Sequence, residues 1–265
     1  AVGTDALYSQ NVGTGDSGNV AVGVASGYYN ETGVNNTYIG RSAGLGASGQ
    51  SHSENTAVGY KALMDIQTGG ANVAIGNNAL ENATTATVNT AVGGEAMAGI
   101  TTNAVQDAVA IGHSAFKGSS STTTGANGTV AVGHDALKVL TSGAANVAIG
   151  YQALQLEDAG GNSTAVGYQA LTNQNNDNGM NTAVGKASGA AITSGHSNTL
   201  VGSGSGATLQ SGYQNTLIGR DADATSGKIN ATAVGYGTIA QADDSVTLGN
   251  ASVTAVYMSQ DSGAT

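Results

Sequence analysis

The chain holds 265 residues, of which 42 are glycine and none is proline, cysteine or tryptophan. Charged residues make up 9% and aromatics 4%, and 17 acidic against 7 basic side chains leave a formal net charge of −10. Without cysteine there is no disulfide framework and no thiolate metal site. An acidic chain is a poor partner for nucleic acid or an anionic membrane, no apolar run reaches the roughly 18 residues of a membrane span, and glycine without a three-residue period is not collagen. So low a charge also argues against acidic disorder.

In chain order, a short aliphatic segment ends in glycine fifteen times, at Gly3, Gly23, Gly40, Gly59, Gly76, Gly93, Gly112, Gly133, Gly150, Gly167, Gly185, Gly202, Gly219, Gly235 and Gly249. The commonest spacing is 17 residues. The residue before each glycine is Val, Ile or Leu, and two residues earlier stands Thr or Val. Between them the residue is mostly Ala, with Tyr38, Leu200, Leu217 and Thr247 as exceptions. Asn often opens the segment, as at Asn55, Asn72 and Asn146, and an Ala-Leu pair often follows the glycine, as at Ala62-Leu63.

A β-branched residue on either side of a single intervening position gives period two, which is a strand and not a helix. The always-aliphatic column is expected to point into a coil. The Ala column, including Ala74, Ala91, Ala148 and Ala165, is then expected to point outward and meet other chains. Threonine alternating with valine at an inward position reads as a β-branched filler, not as an outward ice-binding array. Asn is expected to bond backbone at the strand-entry turn. Stacking gives an all-β parallel β-solenoid of about fifteen coils, a rod about 70 Å long at the usual strand spacing. Residues 1–250 form this repeat, and 251–265 are a C-terminal strand and tail. The interior column of each coil is thin, so further surface is expected to be buried by closed association.

Asn55-Thr-Ala-Val-Gly-Tyr-Lys-Ala-Leu63, Asn146-Val-Ala-Ile-Gly-Tyr-Gln-Ala-Leu154 and Ser163-Thr-Ala-Val-Gly-Tyr-Gln-Ala-Leu171 resemble the head repeats of trimeric autotransporter adhesins and related repeats of phage tail fibres. That resemblance implies a left-handed parallel β-roll, a homotrimer of rolls side by side, and an extracellular place on a virion or cell surface with a host receptor or glycan as partner. Asp244-Ser-Val-Thr-Leu-Gly-Asn-Ala-Ser-Val-Thr-Ala-Val-Tyr257 resembles the stretch preceding an endosialidase-type intramolecular chaperone. The chain opens in mid-motif at Ala1-Val2-Gly3, so a longer parent is expected. The stalk and barrel of an autotransporter do not appear in the sequence, which tilts the expectation from an adhesin head toward a phage tail fibre.

No catalytic, cofactor or metal residues are assigned. The column after the glycine holds His113, His134, Tyr151 and Tyr168 in successive copies. Rigid amphipathic rings there are candidate surface contacts, and His113 and His134 on one outward face could serve a metal or anion site or an acyltransferase base, although solvated histidines and a half-exposed covering face are the plainer reading, and all four histidines, His52 and His196 included, are expected at the surface. Val58-Gly59-x-x-Ala62 matches one hexapeptide of left-handed-helix acyltransferases, which need three per coil where this chain gives one. Asp221 and Asp223 read as solvated loop residues. Insertions at 8–18, 42–54, 100–107 and 117–128, with Ser119–Thr124 the most polar run, are the better candidates for recognition.

Overall fold

Fourteen three-residue strands, from Val20–Val22 to Val246–Leu248, pair in parallel and in chain order into one sheet. The structure is a computed structural model that describes residues 1–11, 13, 15–101, 105–118 and 125–256. An isolated bridge from Val2 to Val22 adds a further rung at the start. The chain is thus a parallel β-solenoid of about thirteen full turns, close to the expected count, with no helix among the described residues. A second, two-stranded parallel sheet joins Asp223–Ala224 to Ile239–Ala240. Register is residue for residue down the repeat, so Ala148 lies beside Ala165 and Ile149 beside Val166.

The period-two reading holds, but its phase is reversed. The middle residue of the strands is buried while its neighbours face out, as in Val73–Ile75 and Val147–Ile149. Ala74, Ala91, Ala148 and Ala165 are 0% exposed within the single chain. They fill the coil's own interior, so the expectation that they contact other chains is overturned. The Thr/Val column and the Val/Ile column lie on the outer surface instead, with Ile75, Ile111 and Ile149 each about 40% exposed.

The physical reason is the corner that follows the strand. In most coils a large apolar residue four places after the glycine turns inward: Leu63, Leu80, Met97, Phe116, Leu137, Leu154 and Leu171 are all fully buried. These side chains cross a narrow coil, and only alanine fits opposite them at close-packed density. Where the strand centre is large the corner shrinks. Tyr38 is followed by Gly44 and Leu200 by Gly206, and a Cβ on either glycine would run into the large side chain. In these two coils the volume is conserved across the interior.

The corner residues sit in the left-handed region, for example Lys61 at φ 55° and Leu63 at φ 52°. Such backbone costs about 1–2 kcal/mol for a residue with a Cβ. It persists here because the turn continues the ladder. Lys61 N–H donates to Arg41 O (3.0 Å) in the preceding coil, and Leu63 N–H and Asp65 N–H donate to Ala79 O and Glu81 O (2.9 Å each) in the next. Corner amides are therefore satisfied between coils without a strand.

Asn stands inside the coil at the strand entry. Asn72 Nδ2 donates to Ala86 O (2.7 Å), where the coil closes, and its Oδ1 accepts from Asn89 N–H (3.0 Å) in the next coil. Asn181, Asn198 and Asn215 repeat the pattern. The expected side-chain-to-backbone role is correct. The left-handed residue, however, is the one before it, as at Ala71 (φ 56°) and Ser197 (φ 57°).

Candidate functional site

Each coil from Gly3 to Gly235 leaves its strand through the marker glycine, whose φ near +136° turns the chain around a corner. The next residue is thrown outward at the same place in every rung, so that column becomes a ladder. His113, His134, Tyr151 and Tyr168 occupy four successive rungs and stack. Their ring centroids are 5.3, 5.4 and 5.2 Å apart, with interplanar angles of 15°, 17° and 9°. All four candidate contacts are thus brought together as one continuous exposed feature. Because the ring faces cover one another, the ladder turns its edges to solvent.

Beside this ladder runs a second column, one residue on, in left-handed backbone: Glu95, Ser114, Asp135, Gln152 and Gln169. Its members are polar and partly covered. Lys117 Nζ pairs with Glu95 Oε2 at 2.7 Å and, with the resulting charge, holds the Glu95 carboxyl below the usual carboxylate range. Ser114 Oγ lies 3.1 Å from His113 Nδ1. Gln169 Nε2 donates to Gln152 Oε1 at 2.9 Å.

Asp135 is the buried carboxylate of this column, its side chain 8% exposed, and Ser114 is buried beside it. Its Oδ2 lies 3.4 Å from His134 Nδ1 and accepts from Gln155 Nε2 at 3.4 Å. Its Oδ1 faces Lys138 Nζ at 3.2 Å without a well-directed hydrogen bond. One nitrogen from each of His113 and His134 and one Asp135 oxygen lie within 4.8 Å of one another.

The other sequence candidates fall elsewhere. His196 stacks on Tyr213 (5.1 Å, 4°) away from this ladder. His52 corrects the reading of the histidines as surface groups: it is 2% exposed, with Tyr38 Oη 2.7 Å from its Nδ1. Burial pushes its pKa down to about 4 and pushes that of the Tyr38 phenol up. Tyr38 is an outsized strand-centre residue, and the sequence signal for the pair was the shrunken corner at Gly44, which makes the room. Asp221 is an exposed turn residue, as expected, and pairs with Arg220 at the surface (3.1 Å); Asp223 instead lies in a strand and accepts the Thr208 N–H (3.1 Å). The run Ser119–Thr124 lies outside the described residues.

Among the described residues, no helix is long and apolar enough to cross a membrane. Neither a known protein family nor a curated protein matches this chain.

Proposed function

We propose that this chain is a non-catalytic structural and adhesive segment of an extracellular fibre, working as a homotrimer whose three solenoids pack wall to wall. One observation carries the reading: the outward Val/Ile/Leu column of the sheet is unbroken over fourteen successive strands. Val22, Ile39, Ile75, Ile111, Ile149 and Ile218 are each about 40% exposed. With the Thr/Val column beside it, this is an apolar stripe about 60 Å long at the usual strand spacing, far more than a soluble monomer ordinarily leaves bare. A second copy is the fitting occupant, because an identical chain carries an aliphatic column of the same rung spacing and the same length. A closed ring of such contacts covers every stripe, and the adhesin-like repeat motifs favour three chains.

On this reading the ring ladder and the loop insertions face outward and are the candidate contacts for a host receptor or glycan. Tail fibre of a phage is the first assignment. A bacterial adhesin head is the alternative, and an acyltransferase of the left-handed-helix type is the remote one. The outward threonines give specific support to one further reading, adsorption to ice, which needs the wall bare.

The test is the mass of the native particle by light scattering. Three times the chain mass of 25.7 kDa is expected. The triple variant Ile75→Glu, Ile111→Glu, Ile149→Glu should retain the β-sheet spectrum and lose the trimer, since like charges would meet in a desolvated seam. A wild-type monomer, or a variant that still forms the wild-type particle, overturns the proposal. Inhibition of ice recrystallisation by the monomer would then support the ice reading, and acyl-donor turnover the enzyme.

A further inference from the structure

We propose that His113, His134 and Asp135 form a binding site for one borderline transition-metal ion, zinc or a similar divalent cation, bridging two neighbouring coils. Three features of the site point to it. The first is the donor set. Two imidazole nitrogens and one carboxylate oxygen are the ligands that zinc, nickel and copper take, whereas calcium and magnesium ask for oxygen alone. The second is placement. The three ligand atoms lie within 4.8 Å of one another although they come from rungs 21 residues apart. A tetrahedral set with bonds near 2.0–2.1 Å needs ligands about 3.4 Å apart, so the rings have to pivot inward. His134 has the freedom to do so, with its side chain 48% exposed, and Asp135 is the fixed point.

The third is the state of Asp135. A carboxylate whose side chain is 92% buried ordinarily has its oxygens well satisfied. Here Oδ2 has a long contact from Gln155 (3.4 Å) and faces the imidazole of His134. Oδ1 has Lys138 Nζ at 3.2 Å but takes no directed hydrogen bond. Lys138 therefore neutralises and orients the far oxygen, as outer partners of metal-ligating carboxylates do, and leaves Oδ2 as the ligand. The ion would complete its sphere with water. It would tie together the two ends of the coil with the widest glycine spacing, from Gly112 to Gly133, where 21 residues replace the usual 17.

The experiment uses the full chain without a polyhistidine tag, stripped with a chelator. Zinc chloride is titrated by calorimetry, and cobalt(II) chloride is added to read the visible band of a tetrahedral site. One ion per chain is expected, with a rise in melting temperature on adding zinc. His113→Gln, an exposed and fold-neutral change, should weaken binding at least about tenfold and abolish the rise. Asp135→Asn should do the same while the far-UV spectrum is kept, and His196→Gln should change nothing. Calcium chloride should not compete. Absence of saturable zinc binding, binding untouched by His113→Gln, or binding lost equally with His196→Gln overturns the proposal.

Discussion

Replacing Gly150 by alanine tests the close backbone contact that a marker glycine makes with the next coil. Gly150 has φ +138°, a region that residues with a Cβ rarely enter, and strain of that kind costs of order 1–3 kcal/mol. The added methyl would overlap the carbonyl oxygen of Gly167 in the next coil and lie 2.6 Å from its carbon and 3.2 Å from Tyr168 N. These are backbone atoms fixed by the ladder, with Gly167 N–H donating to Ile149 O at 2.7 Å. Moving the coils apart far enough to relieve the contact breaks inter-coil hydrogen bonds and leaves their groups buried, at about 1–3 kcal/mol each. With two such bonds the total is about 3–9 kcal/mol, with the damage centred on one rung. Gly49 is the matched control: its φ is +78°, and a Cβ there would meet nothing within 4 Å. Alanine at 49 should cost only about 1–2 kcal/mol. A repeat rod need not unfold in two states, so native-state hydrogen exchange at Ile149 and Gly167 is the assay, with thermal melts in support. If the two alanine variants lose the same local protection, the marker glycines are not set by coil-to-coil contact and the argument fails.

Two further outcomes follow from buried polar groups. Asn198→Ala removes the acceptor for Asn215 N–H and the donor to Gly212 O, at 3.0 and 2.9 Å, and should lower stability by about 3 kcal/mol, with Asn198→Ser costing less because Ser163 already fills that column in one coil; equal melting temperatures for wild type and Asn198→Ala would refute this. Because the His52 pKa falls from 6.5 to about 4 on folding, its neutral form is the one the fold keeps, so its contribution is complete above pH 6.5 and is lost as pH falls toward 4, a swing of about 3 kcal/mol. Melting temperature against pH should therefore drop more steeply over that window for the wild type than for His52→Gln, and parallel curves would show that His52 is not the group responsible.

The repeat, its parallel stacking and the corner glycines were legible because each is a column property. Fifteen aliphatic-glycine steps leave little else for the chain to be. The phase was misread because period two states that neighbours oppose one another without saying which side is inside. Size alone favoured Val and Ile as core. The deciding signal was a compensation between columns: Tyr38 with Gly44, Leu200 with Gly206, alanine with leucine in most other coils. Those pairs share one interior, so the strand centre must face the corner residue. The four-ring stack was legible from the column after the glycine. Asp135 was not, since nothing in the sequence sets its burial apart from that of the glutamines at 152 and 169 in the same column.

Reversing the phase also changes what the aliphatic column is for. An inward Ile149 would make substitution by aspartate a buried unpaired charge and break the rod. Outward, the same change leaves the coil interior untouched and charges the wall. The solenoid therefore separates its tasks by parity. Alanine and the corner leucines hold each coil, the asparagines close it, and the flanking columns are left on the outer surface. The asparagine ladder lapses at Ala108 and Thr129, where Thr129 Oγ1 is buried without a partner. These two rungs carry His113 and His134, and the widest glycine spacing, from Gly112 to Gly133, separates them. Asn89 Oδ1 still accepts the Ala108 N–H (3.0 Å), so the interior side-chain link is lost between Ala108 and Thr129, and the proposed bridge outside the coil would join the same two rungs.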